Sequence, residues 1–147
     1  MPNFYCLLLP QATRTAVNCL RTELFQSTGD RSFRSLPPCI ILGETEATTL
    51  PPAVPCPSLP FEIGKKAIFK EGFLFFPIEG HILQPIRNQL EVSYPFSGII
   101  LGKSDLQIER AIPFVNDLRL ALLEYKESQG LTLWRILAEK HLQKDKG

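Results

Sequence analysis

Two periods of apolar residues alternate along this chain of 147 residues. Phe4 to Leu9 is a short apolar run that reads as a strand. Pro10 suits a helix start, having no N–H to leave unpaired. From Gln11 to about Ser27, Ala16, Val17, Cys19, Leu20 and Leu24 fall at helical spacing. Arg14, Asn18, Arg21 and Thr22 lie between them, so the pattern predicts an amphipathic helix ending at Gly29-Asp30. Arg31 to Ser35 reads as a basic connector. Phe61 to Lys70 and Gly72 to Ile78 read as two strands of a hairpin. His81 to Val92 carries Ile82, Leu83, Ile86 and Leu90 at helical spacing, with Pro85 admissible only in the first turn. Between these elements, Glu44 to Pro60 holds Pro51, Pro52, Pro55, Pro57 and Pro60, a density that predicts loop.

One apolar run occurs twice. Cys39-Ile40-Ile41-Leu42-Gly43, after Pro37-Pro38, returns as Gly98-Ile99-Ile100-Leu101-Gly102, after Pro95-Phe96-Ser97. Each copy reads as a buried strand. The pair predicts one domain over 1–147 with an internal pseudo-twofold repeat, the repeat strands being 39–43 and 98–102. The tail is ambiguous. Leu118, Leu120 and Leu122 alternate, Ser128-Gln129-Gly130 reads as a turn, and Thr132, Trp134, Ile136 and Ala138 alternate beyond it. The same residues also satisfy a helical period, and Ala, Leu, Glu and Lys favour helix.

Composition narrows the function. The chain is 44% hydrophobic, enough for a core. Its 16 basic and 15 acidic residues leave a net charge of +1, which gives no support to an electrostatic nucleic-acid binder. No apolar run approaches the ~20 residues that span a bilayer. Leu7-Leu8-Leu9 is too short for a signal-peptide core, so the expected location is cytoplasmic. Cys6, Cys19, Cys39 and Cys56 form no C-x-x-C pair and have no histidine at ligand spacing, so neither metal nor cofactor is expected. All four are expected to be reduced, with Cys6 and Cys19 inaccessible.

The layout resembles the two-histidine (2H) phosphoesterase superfamily, which includes the 2′-5′ RNA ligase-like proteins. That family opens with a strand ending in L-P and an amphipathic helix, as Leu8-Leu9-Pro10 does here. It carries two strands of the form P-H-(I/L)-T-L, and Pro38-Cys39-Ile40-Ile41-Leu42-Gly43 and Ser97-Gly98-Ile99-Ile100-Leu101-Gly102 are similar. It closes with a strand hairpin, similar to Leu120-Ala121-Leu122-Leu123-Glu124-Tyr125 and Trp134-Arg135-Ile136-Leu137, which tips the tail toward strands. The resemblance implies an α+β, duplicated bilobal fold, with two facing antiparallel sheets, helices on the outside and a cleft between. It also implies a histidine base and acid acting on a phosphodiester held by the two threonines.

At the matching positions the histidines are Cys39 and Gly98, and the threonines are Ile41 and Ile100. General acid–base catalysis needs groups that exchange a proton near neutral pH, and none stands at these four places. His81 reads as a polar first-turn residue and His141 as a solvated one beside Lys140, Lys144 and Lys146. Cys39 reads as a structural thiol; as a nucleophile it would need a cation such as Arg31 or Arg34. Gly102-Lys103-Ser104 matches the end of a phosphate loop without the upstream glycine. The expectation is a non-catalytic 2H-like protein with a degenerate site, binding a protein segment or small molecule over Cys39, Ile41, Gly98 and Ile100. The alternative is a divergent phosphodiesterase or RNA-processing enzyme using other residues of the same cleft.

Overall fold

A computed structural model describes residues 3–35, 38–128 and 131–142. Among them are strands β1 (Asn3–Leu8), β2 (Cys39–Thr45), β3 (Ile68–Lys70), β4 (Phe73–Pro77), β5 (Gly98–Gly102), β6 (Leu118–Ser128) and β7 (Leu131–Leu142). The helices are α1 (Gln11–Thr28), α2 (Ser32–Ser35) and α3 (Gly80–Leu90). The protein is α+β, and the tail is two strands, as the resemblance implied. Pro37, the turn residues Gln129 and Gly130, and Lys144 and Lys146 lie outside the described residues. No helix among the described residues is long and apolar enough to cross a membrane.

All strand pairs are antiparallel, in the order β3-β4-β5-β2-β1-β6-β7. The two expected lobes are the halves of this one sheet, β3-β4-β5 and β2-β1-β6-β7. They meet where the two I-I-L-G strands lie side by side, paired at Ile40↔Ile99.

Alternation along these strands sorts their side chains between two faces. Ile40, Leu42, Ile99 and Leu101 join Val17, Leu20 and Leu24 of α1 and Leu83 and Ile86 of α3 in the main core. Cys39, Ile41 and Ile100 face the other way, into a second apolar cluster.

Several local readings change. The buried stripe of α1 is Thr13, Val17, Leu20, Arg21 and Leu24. Cys19 lies about 200° around the helix from Val17 and is exposed, contrary to expectation. The connector after α1 is the short helix α2, which drives Phe33 into the core at 0% exposure. Its ring packs against Gly102, where a Cβ would stand 2.5 Å from the ring. The strand expected over Phe61–Lys70 shortens to Ile68–Lys70, because the chain before it pairs only at isolated bridges, Phe61↔Val115 and Lys66↔Glu109. Pro85 lies beyond the first turn of α3. Its missing N–H falls opposite the carbonyl of exposed His81, where water can take the place of the helix bond.

A polar latch ties α2 to the end of β5. The Lys103 amide donates to Ser32 Oγ at 2.9 Å, the Ser32 amide to Asp30 Oδ1 at 2.9 Å, and the Ser104 hydroxyl to Asp30 Oδ2. The Ser104 bond first, then those from Ser32, hold the Asp30 carboxyl below its usual range. A depressed folded pKa contributes stability above the unfolded value, about 4, and loses it as pH falls through the folded value. Urea unfolding of wild type and Asp30→Asn should therefore differ near neutrality and converge in acid. A difference independent of pH would contradict the latch.

Candidate functional site

Three of the four positions singled out in the sequence, Cys39, Ile41 and Ile100, meet on the face away from the helices, with Gly98 beside them. Cys39 is 2% exposed, Ile41 6% and Ile100 4%, and they share one cluster with Cys6, Phe75, Phe96, Ala121 and Leu123. β1 and β2 pair Cys6 with Ile41 and Leu8 with Cys39, so the two thiols are diagonal neighbours on one face. Burial, together with the hydrogen bond to Cys39, pushes the Cys6 thiol well above the usual range.

Gly98 is buried at the edge of this cluster. A Cβ there would stand 2.0 Å from the Phe76 carbonyl oxygen and 3.1 Å from the Phe75 ring. Position 98 thus has no room for a side chain of any kind.

Aromatic rings fill the remaining space. Phe96 packs edge-on against Phe73 and Phe75, with ring centroids 5.3 and 5.2 Å away, and beside Tyr94 at 5.9 Å. On the other lobe Trp134 stands 5.6 Å from Phe4 and 5.0 Å from Tyr125. Phe4, Phe73, Tyr94, Tyr125 and Trp134 are half-buried, and Ile136 is 50% exposed. The face therefore has a dry floor and an aromatic, partly exposed margin. Burial raises the Tyr94 hydroxyl pKa, so it stays neutral.

Sequence reasoning missed the two buried arginines. Arg87 of α3 donates through Nε to Leu42 O (3.1 Å), through Nη2 to Ile41 O (3.0 Å) and Phe96 O (2.7 Å), and through Nη1 to Ser97 Oγ (2.7 Å). It has no carboxylate partner among the described residues, and burial lowers its pKa. Arg21 donates through Nε to Phe33 O at 2.8 Å, and burial lowers its pKa to about 10. Their positions were the available signal: each continues the buried stripe of its helix, 13-17-20-21-24 and 83-86-87.

The expected cations are elsewhere. Arg34 lies over the Phe25 ring at 5.0 Å, and Arg31 is exposed.

The other candidates stand apart from the floor. His81 is exposed and 3.4 Å from Glu79. His141 is bonded to Asp117 at the end of β7. Lys103 is exposed after β5, its ammonium 5.8 Å from the Phe73 ring centroid. One recess of about 920 Å³ runs among Phe61, Ile63, Ile78, His81 and Phe114, and another of about 340 Å³ among Pro10, Arg14, Arg119 and Glu139. Neither is lined by Cys39, Ile41, Gly98 or Ile100.

No protein-family model matches the sequence, and no curated protein does. Solved structures do. E. coli LigT in its apo form aligns with a TM-score of 0.63 at 15% identity, over 97% of this chain and 98% of its own. E. coli LigT complexed with 3′-AMP aligns at 0.59 and 15%, over 98% and 100%. Over nearly its whole length, then, the chain has the fold of LigT, a 2H phosphoesterase-like fold.

Proposed function

We propose that this protein is a non-catalytic relative of the 2H phosphoesterases, and that it uses the cleft face as a binding or interaction module. One observation carries the reading: Cys39, Ile41, Gly98 and Ile100 lie together in a dry floor with no room for a second histidine. An anionic phosphate brought there would lose its hydration without gaining donors, and burying an unpaired charge is strongly unfavourable. The aromatic margin suits an uncharged small molecule or an apolar protein segment instead. We read the two I-I-L-G strands, 39–43 and 98–102, as copies of one unit within a single domain.

Trp134 is the only tryptophan and stands on this margin, so its fluorescence reports what enters the cleft. Titration with 3′-AMP should give no saturable change up to millimolar concentrations. Saturable binding that is abolished by Ile100→Asp would contradict the reading, because the cleft would then still hold a phosphate.

A further inference from the structure

We propose that the β2–β5 junction is a fracture line along which the two lobes part on the cleft face, and that Arg87 is the pin that holds it closed. This goes beyond the binding reading and rests on how the sheet is joined. β1 pairs with β2 from Asn3↔Thr45 to Leu8↔Cys39, and with β6 from Asn3↔Glu124 to Leu8↔Arg119. β4 pairs with β5 from Leu74↔Gly102 to Pro77↔Gly98. Between β2 and β5 the register has Ile40↔Ile99 alone. Sub-global opening follows the segments with fewest backbone pairs, and here that place lies in the middle of the sheet.

Arg87 spans this place. It belongs to α3, which links β4 to β5 along the chain and lies over β2. Two of its bonds go to β2, at the Ile41 and Leu42 carbonyls. The other two hold the segment leading into β5, at the Phe96 carbonyl and the Ser97 hydroxyl. Apolar packing is continuous across both lobes on each face, and the larger core lies on the helix side, so the sheet opens by bending about that core and parting Phe75, Phe96 and Ile100 from Cys39 and Ile41. The latch from Lys103 and Ser104 to Ser32 and Asp30 lies on exposed and half-buried residues at the far end of β5. Opening would uncover Cys39, which is 2% exposed in the closed form.

Cys39 therefore reports the motion. Wild-type protein and Arg87→Lys, which keeps the charge but not the planar fork, are treated with a thiol reagent at increasing urea. Mass spectrometry reads each cysteine separately, and Trp134 fluorescence gives global unfolding. In wild type, Cys39 labelling at low urea should run faster than global unfolding allows, with a shallow urea dependence. Arg87→Lys should speed it by about tenfold or more beyond any change in global stability, the equivalent of one or two hydrogen bonds. Wild-type labelling that follows global unfolding with the same urea slope would overturn the proposal. So would an Arg87→Lys effect fully accounted for by lost global stability.

Discussion

Replacing Gly98 with alanine is expected to destabilise the protein by about 3 kcal/mol or more, a large share of the ~5–15 kcal/mol that holds a domain together. The new methyl carbon would stand 2.0 Å from the Phe76 carbonyl oxygen, more than 1 Å inside an ordinary contact of roughly 3.2 Å between carbon and oxygen. The obstacle is backbone, not a side chain that can rotate away. Relief requires β4 and β5 to separate where Pro77↔Gly98 and Phe76↔Ile99 pair, and overpacking of this kind exceeds the usual ~1–3 kcal/mol. Thermal unfolding should show a drop of roughly 6–12 °C for a chain of this size. A shift under about 2 °C would mean that the strands yield easily. The same clash bears on the proposed function: Cys39→His with Gly98→His should fail to fold before it can be assayed, so a histidine pair cannot be installed at these positions by substitution alone.

The second large effect is expected at Phe96. It is 4% exposed, wedged among Phe73, Phe75 and Tyr94 and packed into the cluster with Cys39, Ile41 and Ile100. Phe96→Ala should cost about 3–5 kcal/mol, the range for a fully buried aromatic, and leave a cavity in the cleft floor. Trp134→Ala, on the half-buried margin, removes a larger ring but less buried contact and should cost less than half as much. Denaturant unfolding of the two variants compares them directly. Equal losses would show that the margin is as tightly packed as the floor, and the division of the face into floor and margin would fall.

Much of the fold was legible because its signals were local. The I-I-L-G strands, though buried on both faces, were legible by their shortness, the prolines before them and the glycine that closes each apolar run. The tail was not, because β6 is a long strand buried on both faces without such punctuation. Leu118, Leu120 and Leu122 point to the main core and Ala121 and Leu123 to the cleft cluster, so apolar residues run on without a period. Phe33 escaped notice as a lone aromatic between Ser32 and Arg34, with no repeat to mark it. Arg21 and Arg87 were passed over for another reason: they continue the buried stripes of their helices, but charge reads as a solvent face, and only the carbonyls they meet in three dimensions make their burial tolerable. Cys19 erred the opposite way, an apolar residue on the side of α1 away from the buried stripe. At the candidate site, the sequence supplied the four positions but not the aromatic rings packed around them. Tyr94 and Phe96 reach it from the segment before β5, and only the register of β4 against β5 reveals the closeness of the Phe76 carbonyl to Gly98.

The most direct test of a non-catalytic cleft is turnover. Purified protein is incubated with a 2′,3′-cyclic-phosphate nucleotide and, separately, with RNA ends suited to 2′-5′ joining. Losing a positioned acid or base forfeits ~10²–10⁴-fold each, and the proposed reading has both missing. The predicted result is no hydrolysis and no joining above a blank, for wild type and for Cys39→Ala alike. Robust turnover by wild type that disappears in Cys39→Ala, a change that keeps the floor apolar, would contradict the account.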